Sequence, residues 1–173
     1  MTTLTQEEAH RLFEYKDGVL YWKIRHLSDF KTIGRCVQWN ERYGHKKVGS
    51  SVGKYVNVSI NKIRYQVHRI IFLMHHGYFP IIVDHINGKT QDNKIENLRA
   101  ATFSENLRNA KSSKNNTSGY KNVVWHKQRC KWNVRLTINR KNTSFGLYDD
   151  IELANLVAHE ARNKYFGSFA RHL

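Results

Sequence analysis

The sequence predicts an α+β chain in two parts. Three observations carry that expectation. Apolar and polar residues alternate in short runs around Asp-Gly and Asn-Gly turns, two longer stretches carry helical spacing, and the polar segment 111–118, "KSSKNNTS", divides the chain. The expected organisation is a first domain over residues 1–110, a linker over 111–118, and a second domain over 119–173 built as a three-stranded antiparallel sheet on one helix.

At the start, Thr5-Gln6-Glu7-Glu8 fits a capping box ahead of a short helix that carries Leu12 and Phe13. Asp17-Gly18 then separates two aromatic and β-branched runs, a hairpin cue because glycine accepts positive φ. "KYVNVSI" and "IRYQV" alternate as strands do, whereas no periodicity places residues 31–54, which are Gly-rich and basic. Residues 67–76, "VHRIIFLMHH", suit a buried helix ended by Gly77, with a buried strand as the alternative. After the strand "IIVDHI", Asn87-Gly88 signals a turn and "KTQDN" a possible return strand. The three-to-four spacing of Ile95, Leu98, Ala101 or Thr102, and Glu105 or Asn106 then predicts a helix. Beyond the linker, "GYKNVVW", "KWNVRLTIN" and "NTSFGLY" read as strands. "IELANLVAHEARNKYFG" reads as a helix whose stripe of Ala154, Ala158, Ala161 and Tyr165 lies close on the sheet. Trp125 and Trp132 are expected in the core.

The charge narrows the class of function. The chain holds 29 Lys and Arg against 14 Asp and Glu, for a formal net charge of +15, which favours a polyanionic partner. The excess is +7 over residues 1–110, +2 over 111–118 and +6 over 119–173, so both parts are able to touch the same nucleic acid. No apolar run is long enough to span a membrane, and the N-terminus lacks the pattern of a secretory signal. The expectation is a soluble, intracellular protein without a membrane partner. Cys36 and Cys130 stand far apart without a paired motif, which suggests neither a disulfide framework nor a structural zinc site.

The run "VDHINGKTQDNKIENLRAATFSENLRN", with "VHRIIFLMHHGY" before it, resembles the H-N-H nucleases of phage and intron-encoded homing endonucleases. The resemblance implies a ββα-metal nuclease. In it Asp84 and Asn106 supply oxygen ligands to Mg²⁺ or Mn²⁺, His85 is the general base, and Asn97 pins the loop between strand and helix. Many members carry a third histidine where this chain has Asn106. An amide oxygen there makes the ligand set harder, which favours Mg²⁺ or Mn²⁺ over zinc. Asn109, three residues on, competes for the same role. His68 and Arg69 resemble an upstream "HR" pair that supports the site or touches a phosphate, while His75 and His76 flank a helix end.

Residues 118–167 resemble the AP2-type DNA-binding domain, through "SGY-x-x-V-x-W", "KW", "FG-x-Y" and "A-x-x-A". Alternation along "KWNVRLTIN" puts Trp132, Val134, Leu136 and Ile138 on one face and Lys131, Asn133, Arg135 and Thr137 on the other. The resemblance implies that the polar face enters the major groove, with Lys121, Asn133, Arg135, Arg140, Lys141 and Asn142 as candidate DNA contacts. The combined expectation is a monomeric, site-specific endonuclease of homing type, encoded by a phage or mobile element, acting on double-stranded DNA in the cytoplasm of a bacterial host. The alternative is a DNA-binding regulator on an inactive nuclease fold.

Overall fold

In the computed structural model, residues 4–112 and 115–172 are described. The chain divides into two compact units, Met1–Ala101 and Thr102–Leu173.

The first unit opens with α1 (Gln6–Leu12), capped by Thr5, whose hydroxyl accepts the Glu8 N–H. The chain turns at once into the hairpin β1 (Phe13–Lys16) and β2 (Val19–Trp22), with Asp17 and Gly18 at φ of 44° and 82°, values a type I′ turn demands. The stretch that no periodicity placed contains α2 (Ile33–Tyr43) and β3 (Ser50–Val52). No residue of α2 is buried. It is held by Asn40, whose amide bonds both the N–H and the C=O of Arg25, and by Trp39, which meets Trp22 edge-on at 5.2 Å.

Strands β3, β4 (Tyr55–Ile60) and β5 (Ile63–Gln66) form an antiparallel sheet in that order. Then α3 (Val67–His76) runs through the core and ends at Gly77 with φ of 80°. Its Val67, Ile70, Ile71, Phe72, Leu73 and Met74 pack with Leu12, Phe13, Leu20, Val58 and Ile60 as one apolar cluster. Burial all round explains why this helix lacks a polar stripe. The unit closes with β6 (Ile82–His85) paired to β7 (Leu98–Ala101).

That last pairing corrects two expectations. The return strand is Leu98–Ala101 rather than "KTQDN", and the helix predicted from Ile95 begins only at Phe103, after a short 3-10 turn, Ile95–Asn97, and that strand. Spacing of three also fits this turn-then-strand path, and the cross-strand partners of β6 decide between them.

The second unit begins with α4 (Phe103–Asn109), started by a reciprocal capping box between Thr102 and Glu105. Residues 113 and 114 of the polar segment lie outside the described residues. The end of that segment is tied down, since Ser118 Oγ donates to the Val123 carbonyl at 2.7 Å. Strands β8 (Val123–His126), β9 (Lys131–Ile138) and β10 (Lys141–Tyr148) form an antiparallel sheet in the order β10-β9-β8. The helix α5 (Ile151–Phe166), capped by Asp150, covers one face. Ala154, Ala158 and Ala161 are buried as the stripe requires, but Tyr165 is exposed and Phe166 completes the contact. Trp125 is also exposed, packed edge-on against Trp132 at 4.9 Å rather than lying in the core. The observed fold is α+β.

Candidate active site

The β6–β7 hairpin places the Asp84-His85 pair. Asp84 stands opposite Arg99, and the guanidinium donates from Nε at 2.9 Å and Nη2 at 2.8 Å to the same carboxylate oxygen, Oδ2. Both Asp84 and His85 are buried, and a buried polar group needs such a partner. The guanidinium fixes the plane of the carboxylate.

Neighbours from several elements hold His85. Its ring meets His68 of α3 at 4.9 Å between centroids and Tyr55 of β4 at 6.3 Å. Its Nε2 lies 2.9 Å from Oδ1 of Asn93, itself buried. An amide oxygen only accepts, so Nε2 donates to it. Asn93 is a site residue that the sequence did not single out. His68 is buried, and its pKa is pushed down to about 3, first by desolvation and then by His85 and Arg69. It is therefore a neutral ring beside His85.

The loop from Ile86 to Asn97 is organised by two asparagines. Asn97 accepts the Asn87 N–H at 3.0 Å through Oδ1, and donates through Nδ2 to Asn87 Oδ1 at 3.1 Å and to the Asp92 carbonyl at 2.7 Å. Asn87 Nδ2 in turn reaches the Asp92 carboxylate at 2.6 Å. The Asp17-Gly18 turn, which read as hairpin chemistry alone, also supports this loop. Tyr15 accepts the Ile95 N–H at 3.0 Å, Asp17 pairs with Lys94 at 2.8 Å, and a Cβ on Gly18 would stand 2.9 Å from the Lys94 nitrogen. No side chain larger than hydrogen fits that approach.

Arg69 turns toward the chain entering β6, donating to the carbonyls of Pro80 at 2.8 Å and Ile81 at 3.2 Å. Asn106 lies on α4, half-buried, with its backbone N–H bonded to Thr102, and belongs to the second compact unit, as does buried Asn109. An Asp carboxylate is a hard oxygen donor, of the kind that suits Mg²⁺ or Mn²⁺ better than Zn²⁺. Among the described residues, no group of three or more His, Cys, Asp or Glu is placed to hold a metal.

In the second unit, Arg135, Arg140, Lys141 and Asn142 are exposed on the β9–β10 ribbon, with Asn139 and Arg140 forming its turn at φ of 48° and 66°. Asn133 shares their strand but is buried, accepting from Ser144 Oγ at 2.7 Å. Lys121 is set apart. Its ammonium donates to the carbonyls of Arg108 at 2.7 Å and Ala110 at 2.6 Å, where it caps the C-terminus of α4. Burial, with Arg162 and Arg171 nearby, pushes its pKa down to about 8.

A strand, an asparagine-pinned loop, a return strand and a helix, carrying an Asp-His pair at the end of the first strand, define a nuclease-type unit. The HNH endonuclease family profile matches residues 65–108, from the end of β5 through most of α4. Over 95 residues the chain is 36% identical to Protein 3.8 of Escherichia phage T7, an alignment covering 55% of this chain and 75% of that protein. The chain belongs to the HNH endonuclease family. No solved structure matches it. Among the described residues, no helix is long and apolar enough to cross a membrane.

Proposed function

We propose that the chain is a site-specific DNA endonuclease of homing type, in which residues 65–108 hydrolyse a phosphodiester and an AP2-like C-terminal module selects the site. The observation that carries this reading is the arrangement of His85 within the matched region: buried, held through Nε2 by Asn93, and adjacent to a carboxylate that Arg99 orients. His85 takes a proton from the attacking water. Asp84 and Asn106 are the residues that would hold a divalent cation. Such an ion supplies Lewis-acid polarisation of the scissile phosphate and stabilises the leaving oxygen. Asn97 keeps the loop, and with it Asn93, in register with His85. The exposed Arg135, Arg140, Lys141 and Asn142 are the residues that would meet a DNA groove, whereas Asn133 is buried and Lys121 caps α4.

A regulator built on an inactive nuclease fold is the rival reading, and the buried Asp84–Arg99 pair is the feature that favours it, because the arginine already engages the carboxylate. Incubating the purified chain with supercoiled DNA in Mg²⁺, in Mn²⁺ and in chelator separates the two. Nicked or linear product with either metal and none in chelator is expected. Intact plasmid in all three, with DNA still bound, would leave the regulator.

A further inference from the structure

Positive charge is concentrated within the first unit. Residues 31–64 hold eight Lys and Arg against the single acid Glu41, while the remainder of residues 1–101 holds eight of each sign. This segment forms α2 and the β3–β5 sheet, and it precedes the 65–108 region matched by the family. Strand alternation sorts its residues. Val58 and Ile60 enter the core, while Asn57 and Ser59 point away from it, in register with Gln66 and Arg64. Between that polar face and the rings of Trp22 and Trp39 lies a groove of about 640 Å³ lined by Arg25, Lys47 and Arg64, with no carboxylate in its wall among the described residues.

Arg25 carries the argument furthest. Its guanidinium lies 4.8 Å from the centre of the Trp39 ring and 5.8 Å from those of Trp22 and Phe30, an arrangement that holds a cation without neutralising it. Its Nε is buried and makes no hydrogen bond. A carboxylate oxygen of Asp29 stands 3.8 Å away, and that carboxylate is gripped by Arg11 at 2.7 Å. A desolvated guanidinium donor gains most from an anionic acceptor entering the groove. The aromatic rings are turned on one another, Trp22 to Trp39 at 5.2 Å and Trp39 to Tyr43 at 5.3 Å, so they brace Arg25 rather than offer a platform for bases. Past Asn57 and Arg64 the groove continues into a second depression of about 460 Å³ lined by Tyr55 and Arg69, and the Tyr55 ring lies 6.3 Å from that of His85.

We propose that this groove is a second DNA-binding site, in which Arg25, Lys47 and Arg64 grip the phosphodiester backbone of duplex DNA and lead it toward His85. The choice of DNA over other polyanions rests on the endonuclease reading; the phosphate contact rests on the groove itself.

The test is fluorescence anisotropy with a labelled duplex in chelator, where nothing is cut, over a salt series from roughly 50 to 200 mM. The double variant K47Q/R64Q alters two exposed side chains, and K16Q, on β1, is the control for general charge. Two lost phosphate contacts lower the slope of log affinity against log salt by about 1.8, and weaken binding about 30-fold at 0.15 M salt relative to 1 M. R25Q, verified as folded by its far-ultraviolet circular dichroism, lowers the slope by about 0.9. Unchanged slopes in both variants overturn the proposal, as does an equal loss in K16Q, or a loss confined to single-stranded RNA of the same length. Weakened duplex binding in a protein that proves unable to cut leaves this site standing and removes the endonuclease. Intact cutting with unchanged slopes does the reverse.

Discussion

Replacing Asn97 by alanine tests the loop that positions the site. The side chain is buried and makes three hydrogen bonds, one accepted from the Asn87 N–H and two donated to Asn87 Oδ1 and the Asp92 carbonyl. Each net bond is worth about 1 kcal/mol, and partners left inside without replacement cost up to about 3 kcal/mol each. Asn87 is exposed and water can take over its share, so the expected loss is about 2 to 3 kcal/mol, concentrated at the Asp92 carbonyl. For a unit of this size that lowers the melting temperature by roughly 8 to 24 °C. Asn97→Asp is the informative companion. It keeps the acceptor for Asn87 N–H but sets an anionic oxygen against Asn87 Oδ1 and the Asp92 carbonyl, so it should be no better than alanine. The assays are thermal unfolding and single-turnover cleavage, with amide exchange across residues 86–94 as the local readout. Cutting should slow about 10- to 100-fold, by analogy with lost supporting bonds at metal sites. A melting temperature and a cleavage rate both equal to the parent's in Asn97→Ala would refute the reasoning.

Other expectations follow from the same geometry. His68 is neutral in the fold with a pKa of about 3 but takes a proton near 6.5 when unfolded, so its contribution is complete above about pH 6.5 and drains away as the pH falls toward 3. At about 1.4 kcal/mol per unit this amounts to about 4 to 5 kcal/mol, read by urea titrations down that range, and His68→Phe should flatten the dependence. Gly18→Ala forces a methyl to 2.9 Å from the Lys94 nitrogen at φ of +82°, and should cost about 1 to 3 kcal/mol by calorimetry while slowing cleavage through the Asn93 loop. Arg135→Ala should change base preference at one position by about 1 to 3 kcal/mol in a binding-site selection; a uniform loss across sequences would make it a phosphate contact.

Much of this architecture was legible because its signals are local. Asp17-Gly18 sets a hairpin through backbone sterics alone, Gly77 ends α3 in the left-handed region, and the alternation of Val134 and Leu136 with Arg135 and Thr137 assigns the two faces of β9. Helix α2 was not legible because it buries no residue and is attached through Trp39 and Asn40 to partners distant in sequence. The misreading of residues 95–101 has the same origin: only the pairing of Asp84 with Arg99, fifteen residues on, makes Leu98–Ala101 a strand. Within the site, the Asp-His pair and Asn97 were legible through the resemblance of their run to the H-N-H nucleases. The role of Asn93 needed the geometry, since no spacing rule brings an amide oxygen to Nε2 of a histidine eight residues earlier.

The central claim is that His85 is the base that activates water for phosphodiester hydrolysis. The most direct measurement compares His85→Ala with the parent on supercoiled DNA in Mg²⁺, following nicked and linear product while duplex affinity is measured separately in chelator. The account predicts that cutting is abolished while affinity stays within a few-fold of the parent's. Cleavage by His85→Ala at the parental rate would contradict it.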